Sequence, residues 1–334
     1  MHKSLHTNRT FFWGVGLVLA LVATLVLGIV TSHAGFMWAD ITHLGKDSKE
    51  AMIIYQLRLP RIVAALLGGA LLALSGAVMQ GVLKNPLASP FTLGVSQAAA
   101  FGASFAIILL QAFQNEGGAI SVVGAAFLSS MICMMCIVWL GSKAAMSPSA
   151  LILAGVALGT LFHALTMLMQ FFATDLDAAA SLFWTFGDMG KATWDHVKIQ
   201  TIAVLVLGVG LGWQHWRLDA LGFGDESAQS RGVRVKPFRL IMLILATLSA
   251  ALVVAYFGII GFVGLAAPHL VRFGIASRNG IVIPFGMLVG AILLALADIL
   301  ARVVVAPIVI PIGIVTALLG VPILLVLLAK RVNK

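Results

Sequence analysis

Few side chains in this 334-residue chain could do chemistry, and their spacing is not that of a catalytic centre. Arg58 and Arg61 flank Pro60, Asp298 precedes Arg302 by one helical turn, and Asp225 adjoins Glu226. Charges at the edges of apolar runs are costly and are kept for pairing or for a partner. For Arg58, Arg61 and Arg302 two readings stand at this point: interfacial or helix-paired charges, or contacts for another protein. His163 is the one histidine well inside an apolar helix, either a packing group or a functional one. Without carboxylate or thiolate neighbours it cannot select a metal. Cys133 and Cys136 lie in an apolar run and read as small buried hydrophobes, with no disulfide framework. The nearest approach to a phosphate-cradling loop, Gly187-Asp188-Met189-Gly190-Lys191, has the wrong spacing. Energy for any work must come from another chain or from a gradient.

These groups are carried by a chain that is 61% hydrophobic and only 10% charged. Its mean hydropathy is +1.08, far from the soluble range. The structural unit is therefore the helix of about 20 residues that crosses about 30 Å of hydrocarbon. Leu57–Gly102 shows the pattern: a charged entry, an apolar span, a Lys84-Asn85-Pro86 turn, and a second span. Breaks at charges, Pro and Gly predict ten spans, near 12–32, 62–82, 92–112, 119–140, 149–172, 196–216, 238–260, 261–275, 281–304 and 312–330. The eighth is too short to cross unaided; it is expected to run on from the seventh at Gly261 and to tilt or break around Pro268. No cleavable leader is expected, and residues 1–334 read as one transmembrane domain. Small residues at Gly68, Gly69, Ala73, Ser75, Gly76 and Ala77 suit close helix packing.

Basic residues set the orientation. With both termini in the cytoplasm, that side holds 14 of the 21 Lys and Arg but only 3 of the 12 acids. This is the positive-inside arrangement. The net charge of +9 reflects topology and anionic lipid, and charges so scattered exclude a nucleic-acid surface. The largest cytoplasmic segment, 217–237, is too short to fold as a domain. Asp225 and Glu226 can open a short helix there, since acids suit a helix N-terminus. Gly232 and then Pro237 are expected to end it before the next span. Such a helix is either a docking knob for a soluble partner or a solvated loop. At the inner turn, Pro86 forces Asn85 out of helical geometry and fixes a corner.

Several collinear motifs carry a family resemblance: RLPR at Arg58–Arg61, SGAVMQGVLKNPLASPFTLGVS at Ser75–Ser96, LILAGVALG at Leu151–Gly159, GDESAQSRGV at Gly224–Val233, GFVGLAAPHLVR at Gly261–Arg272, LADILAR at Leu296–Arg302 and PIGIVTALLGVPILLVLL at Pro311–Leu328. Together they resemble the permease subunits of ABC importers for ferric siderophores, haem and cobalamin. The resemblance implies an all-α polytopic protein of ten helices, a homodimer around a central pathway in a bacterial inner membrane. It implies two ATP-binding cassette subunits below, which hold ATP and Mg, no cofactor or metal in this chain, and a periplasmic or lipid-anchored substrate-binding protein above. Leu221, Gly224, Asp225, Glu226, Ala228, Arg231 and Gly232 then fall on the ATPase-coupling helix. Reversing the charge of Asp225 or Glu226 is expected to uncouple transport without disturbing the membrane fold. Arg58, Arg61 and Arg302 are implied as docking contacts for acidic groups of the binding protein. Asn85 and Leu87, with Pro148 and Ser149, are implied as cytoplasmic gates; Pro148 departs from a commonly hydroxylic position. His163, Met167 and Gln170 on the fifth span are implied to line the pathway.

A chelate is bulky, so close ligands would trap it. The pathway is expected to be wide and mostly apolar. Ser89 in NPLASPFTLG, where haem and cobalamin members commonly carry an acid, resembles the siderophore members. A haem or cobalamin permease is the alternative, and a gradient-driven transporter or channel the alternative of another class.

Overall fold

A computed structural model describes residues 2–32, 35–36, 49–110 and 122–332, with side chains placed within 10–31, 51–110 and 122–326. Helices dominate: α1 (His2–Val30), α2 (Leu59–Leu83), α3 (Val95–Phe105), α4 (Val122–Lys143), α5 (Pro148–Phe172), α6 (Asp175–Thr185), α7 (Trp194–Trp213), α8 (His215–Gly222), α9 (Asp225–Ser230), α10 (Val235–Phe257), α11 (Val263–Gly274), α12 (Asn279–Val303) and α13 (Ile312–Val332). A turn of α-helix and a π turn, Ile54–Arg58, lead straight into α2. Among the described residues seven helices are long and apolar enough to cross a membrane, α1, α2, α4, α5, α7, α10 and α12. Val95–Leu110 and Ile312–Val326 are apolar but shorter. The predicted boundaries at 111–112 and 119–121 lie outside the described residues.

Helix α2 is the axis of the bundle, packed against α7, α10, α11 and α12. Its small residues make this possible. A Cβ on Gly69 would stand 2.2 Å from the Gly290 carbonyl oxygen of α12, and one on Gly76 1.7 Å from that of Gly264 in α11. Backbones therefore touch directly, as small-residue seams in membranes allow. Pro268 has no N–H to return to the Gly264 carbonyl, and that carbonyl lies against Gly76 instead.

The structure moves the expected break. Helix α11 runs unbroken through Pro268. The chain turns earlier, between α10 and α11, where Gly258 has φ +78° and Phe262 φ +64°. This irregular backbone finds partners within the protein: the Phe257 carbonyl accepts from Asp188 N–H at 2.7 Å, Gly258 N–H donates to the Val254 carbonyl at 2.8 Å, and the Gly261 carbonyl accepts from Val263 N–H at 2.8 Å. Non-helical backbone in an apolar bundle survives only with such partners. The 217–237 segment is two short helices, α8 and α9, rather than one knob. Pro237 lies in the first turn of α10, where a missing N–H costs nothing.

Candidate functional site: charge clusters at the two ends of α2

Arg61 and Lys84 bracket α2. At a 1.5 Å rise per residue they stand about 35 Å apart, and a cluster of ion pairs with a buried member lies at each end.

At the Lys84 end, Gly224 (φ +113°) and Gly232 (φ +83°) bound α9, two positions where left-handed backbone favours glycine. Asp225 and Glu226 occupy its first turn. Glu226, Gln229 and Arg231 are exposed, and the Arg231 guanidinium stacks over the exposed Phe223 ring at 5.1 Å. Leu221 and Ala228 are fully buried. They anchor α8 and α9 to the bundle and so face inward from the segment on which the resemblance places them. Asp225 also turns inward: its Oδ1 and Oδ2 accept from Arg239 Nη2 and Nη1 at 3.0 and 3.1 Å, and Lys84 Nζ lies 2.6 Å from Oδ1. Burial pushes the Asp225 carboxyl up, but the hydrogen bonds and charges of Arg239 and Lys84 outweigh it and hold the group below the usual carboxylate range. Reversing its charge would strand Arg239, so Asp225→Arg is expected to disturb the fold, whereas Glu226 is exposed.

Arg239 is the functional group that the sequence reading missed. It is fully buried. Beyond Asp225 it donates from Nε to the Val82 carbonyl at 3.3 Å and from Nη1 to the Met146 carbonyl at 2.7 Å. An arginine inside the predicted span 238–260 was itself a signal, since an ionisable residue within a span calls for a named partner. Asp219 was missed as well. Its Oδ1 accepts from Asn279 N–H and Nδ2, both at 2.8 Å, which ties α8 to the start of α12.

Both expected gate turns adjoin this cluster. Lys84 ends α2 in left-handed conformation, and Asn85 Oδ1 accepts from Leu87 N–H at 2.9 Å, a closed Asx turn. Leu87 is 50% exposed. In the other turn, Ser147 Oγ accepts from Ala150 N–H at 3.3 Å, with Pro148 half-buried and Ser149 exposed. Beside the Lys84 end opens a cavity of about 710 Å³ lined by Gln80, Lys84, Asp219, Arg272 and Arg278 among others.

At the other end, Asp298 is fully buried between two arginines. Arg61 Nη2 lies 2.8 Å from its Oδ1, and Arg302 Nε 3.2 Å from its Oδ2. Arg302 Nη1 also donates to the Thr31 carbonyl at 2.8 Å, closing the C-terminal end of α1. Arg302 is 3% exposed and fully engaged within the chain, so the docking contact expected of it is corrected to a structural one. Arg61 is partly accessible beside a cavity of about 730 Å³ that Lys191 and Asp188 also line. Arg58 is half-buried and donates to the Ile29 carbonyl at 3.2 Å.

On α5, His163 and Met167 are exposed on one face. His163 borders a groove of about 470 Å³ with Phe91, Thr92 and Gln97. Gln170 is half-buried and donates to Ser181 Oγ at 3.0 Å, which bonds Ser104 Oγ at 2.6 Å, so it braces α3, α5 and α6.

Comparison with known proteins agrees with this architecture. An ABC transporter permease protein of Methanocaldococcus jannaschii is 40% identical over 99% of this chain and 97% of its own length. The Fe(3+)-citrate import system permease of Bacillus subtilis is 36% identical, with 95% of each chain covered. The vitamin B12 import system permease of Vibrio cholerae is 33% identical over 99% of this chain and 96% of its own. Among solved structures, an inward-facing metal-chelate type ABC transporter superposes with a TM-score of 0.81 at 33% identity, covering 95% of this chain and 98% of the other. The pattern of the FecCD transport family matches residues 16–330, and the chain belongs to that family of ABC importer permeases.

Proposed function

We propose that the chain is the permease of an importer for an iron(III)–siderophore chelate, working as a homodimer with ten crossings per copy and both termini in the cytoplasm. Two ATP-hydrolysing subunits sit beneath α8 and α9, and a substrate-binding protein docks above α2. The observation that carries the coupling part is α9 itself: a six-residue helix between glycines, with Glu226, Gln229 and Arg231 exposed and its inward face held. Arg61, with Arg58 beside it, is the remaining candidate for the binding protein's acidic groups. The exposed face of α5 bearing His163 and Met167, and the turns holding Asn85, Leu87, Pro148 and Ser149, supply the pathway wall and the inner gates. No group here performs covalent chemistry; ATP and Mg belong to the partner.

The chelate class is supported by the relative named for ferric citrate and by the metal-chelate structure. The relatives named for vitamin B12 favour cobalamin as the second reading. The test reconstitutes the permease with its ATPase in proteoliposomes and adds candidate binding proteins loaded with ferric siderophore, haem or cobalamin. Siderophore-stimulated ATP hydrolysis with uptake is expected. Stimulation by cobalamin or haem alone transfers the assignment to the second reading. Uphill uptake by the isolated chain under a proton or sodium gradient refutes the importer reading altogether.

A further inference from the structure

Arg239 is the one buried guanidinium in the cytoplasmic cluster, and each of its bonds reaches a different segment. Nε holds the last turn of α2 through Val82, Nη1 holds the α4–α5 turn through Met146, and Nη1 and Nη2 together hold α9 through Asp225. Lys84, the residue directly before the Asn85-Pro86-Leu87 corner, binds the same carboxylate. Among the described residues Asp225 is the only carboxylate within ion-pair distance of Arg239. It arrives from outside the bundle, on a short helix whose flanking glycines, Gly224 and Gly232, have open space around them.

We propose that Arg239, with Asp225 and Lys84, is the transmission clasp of the importer, making α9 and both inner gate turns move as one body. The physical reason lies in the cost of separation. If α9 moved alone, it would leave a fully buried guanidinium without its counter-charge, and removal of one partner from a buried pair is strongly unfavourable. Sliding α9 is therefore opposed unless Val82, Lys84 and Met146 follow. A fork of five fixed donors suits this, because it bonds three segments at once in one plane; lysine in its place would hold one or two. Arg239 is a positioning residue: it meets neither cargo nor nucleotide and acts through α9 and the turns. The inference rests on the reading of α9 as the ATPase contact.

The test uses the permease reconstituted with its ATPase, comparing wild type, the charge-neutral pair Asp225→Asn/Arg239→Met, and Arg239→Lys. The pair avoids stranding a buried charge. The pair leaves the exposed Glu226, Gln229 and Arg231 in place, so co-purification with the ATPase is expected, and ATP hydrolysis is measured alongside uptake. Cargo moved per ATP hydrolysed should fall at least tenfold, and Arg239→Lys should recover only part of it. Undiminished cargo per ATP in an assembled pair variant overturns the clasp. Loss of ATPase binding by the wild type itself refutes the underlying reading of α9 instead. Should the pair variant fail to assemble, spin labels on wild-type permease decide, in a Cys133→Ala/Cys136→Ala background. Labels at Gln229→Cys with Leu87→Cys, and at Gln229→Cys with Ala144→Cys, should keep constant separations with and without nucleotide. A nucleotide-dependent change above about 3 Å, twice the helical rise per residue, in either pair overturns the proposal.

Discussion

Replacing Asp298 by Asn is the sharpest perturbation of the charge cluster at the Arg61 end, because one carboxylate serves two arginines. Asn preserves shape and one acceptor but removes the charge. The contacts are 2.8 Å to Arg61 and 3.2 Å to Arg302, with Asp298 fully buried and Arg302 nearly so. Two unit charges about 4 Å apart interact by about 4 kcal/mol at an effective dielectric near 20, and desolvation consumes part of that. Breaking a buried pair costs about 3–5 kcal/mol, since the surviving charge has no answer. Asp298→Asn should therefore cost about 3–5 kcal/mol. Arg61→Met leaves Asp298 still paired with Arg302. Because Asp298 keeps Arg302 as its counter-charge, the loss of Arg61 should cost less than the ~3–5 kcal/mol of a broken buried pair. Equilibrium unfolding in mixed micelles measures both values, and added salt should scarcely change the gap because buried charges are weakly screened. Equal costs for the two variants, or a cost below about 1 kcal/mol for Asp298→Asn, would refute the shared counter-ion.

Further outcomes are expected in the same terms. Gly76→Ala should destabilise by more than about 3 kcal/mol, beyond ordinary overpacking, since its Cβ would meet backbone oxygen at 1.7 Å. Gly210→Ala, with nothing within 4 Å, should change stability by less than about 1 kcal/mol in the same unfolding assay. Because folding lowers the Asp225 pKa, its stabilisation is complete above the unfolded value of about 3.9 and is lost as pH falls through the folded value. A label on Gln229→Cys should thus gain mobility only below about pH 4, and Asp225→Asn should abolish that step. Glu226→Arg should leave unfolding unchanged while weakening ATPase co-purification, whereas Asp225→Arg should lower stability sharply. A fold-neutral Asp225→Arg would contradict the buried pairing.

Apolar run length and breaker residues made the helices legible, because a span must be long and must satisfy its own backbone. The short helix at Asp225 was legible for a local reason, acids after a glycine. What escaped were long-range pairings. Arg61 and Asp298 are 237 residues apart, and Asp225 and Arg239 meet only because α9 folds back on α10. Sequence spacing suggested the neighbour Arg302 for Asp298 and found it, but gave no sign that Arg61 shares the same oxygens. The sequence predicts that the eighth span runs on from the seventh at Gly261 and tilts or breaks around Pro268. Three-dimensional packing overrode that, since the freed Gly264 carbonyl fits against a residue with no side chain. The left-handed turn at Gly258 was hidden among 34 glycines, most of which pack helices.

The two clusters differ in one respect that bears on how a permease can switch. Each neutralises buried arginine with a single carboxylate, and each joins helices that are distant in sequence. Asp298, however, sits within α12, a 25-residue helix packed against α1, α2 and α11, so it cannot leave its arginines without moving the core of the bundle. Asp225 sits on a six-residue helix between two left-handed glycines and is one-third exposed at its side chain. Backbone freedom at Gly224 and Gly232 lets that element shift at little conformational cost, while the charge ties decide what must shift with it. With the clasp proposed above, a rigid tie at one end and a hinged one at the other would give the bundle a fixed pivot and a movable end. On the proposed reading of α9 as the ATPase contact, force applied there would be directed into the Lys84 end of α2 and the α4–α5 turn.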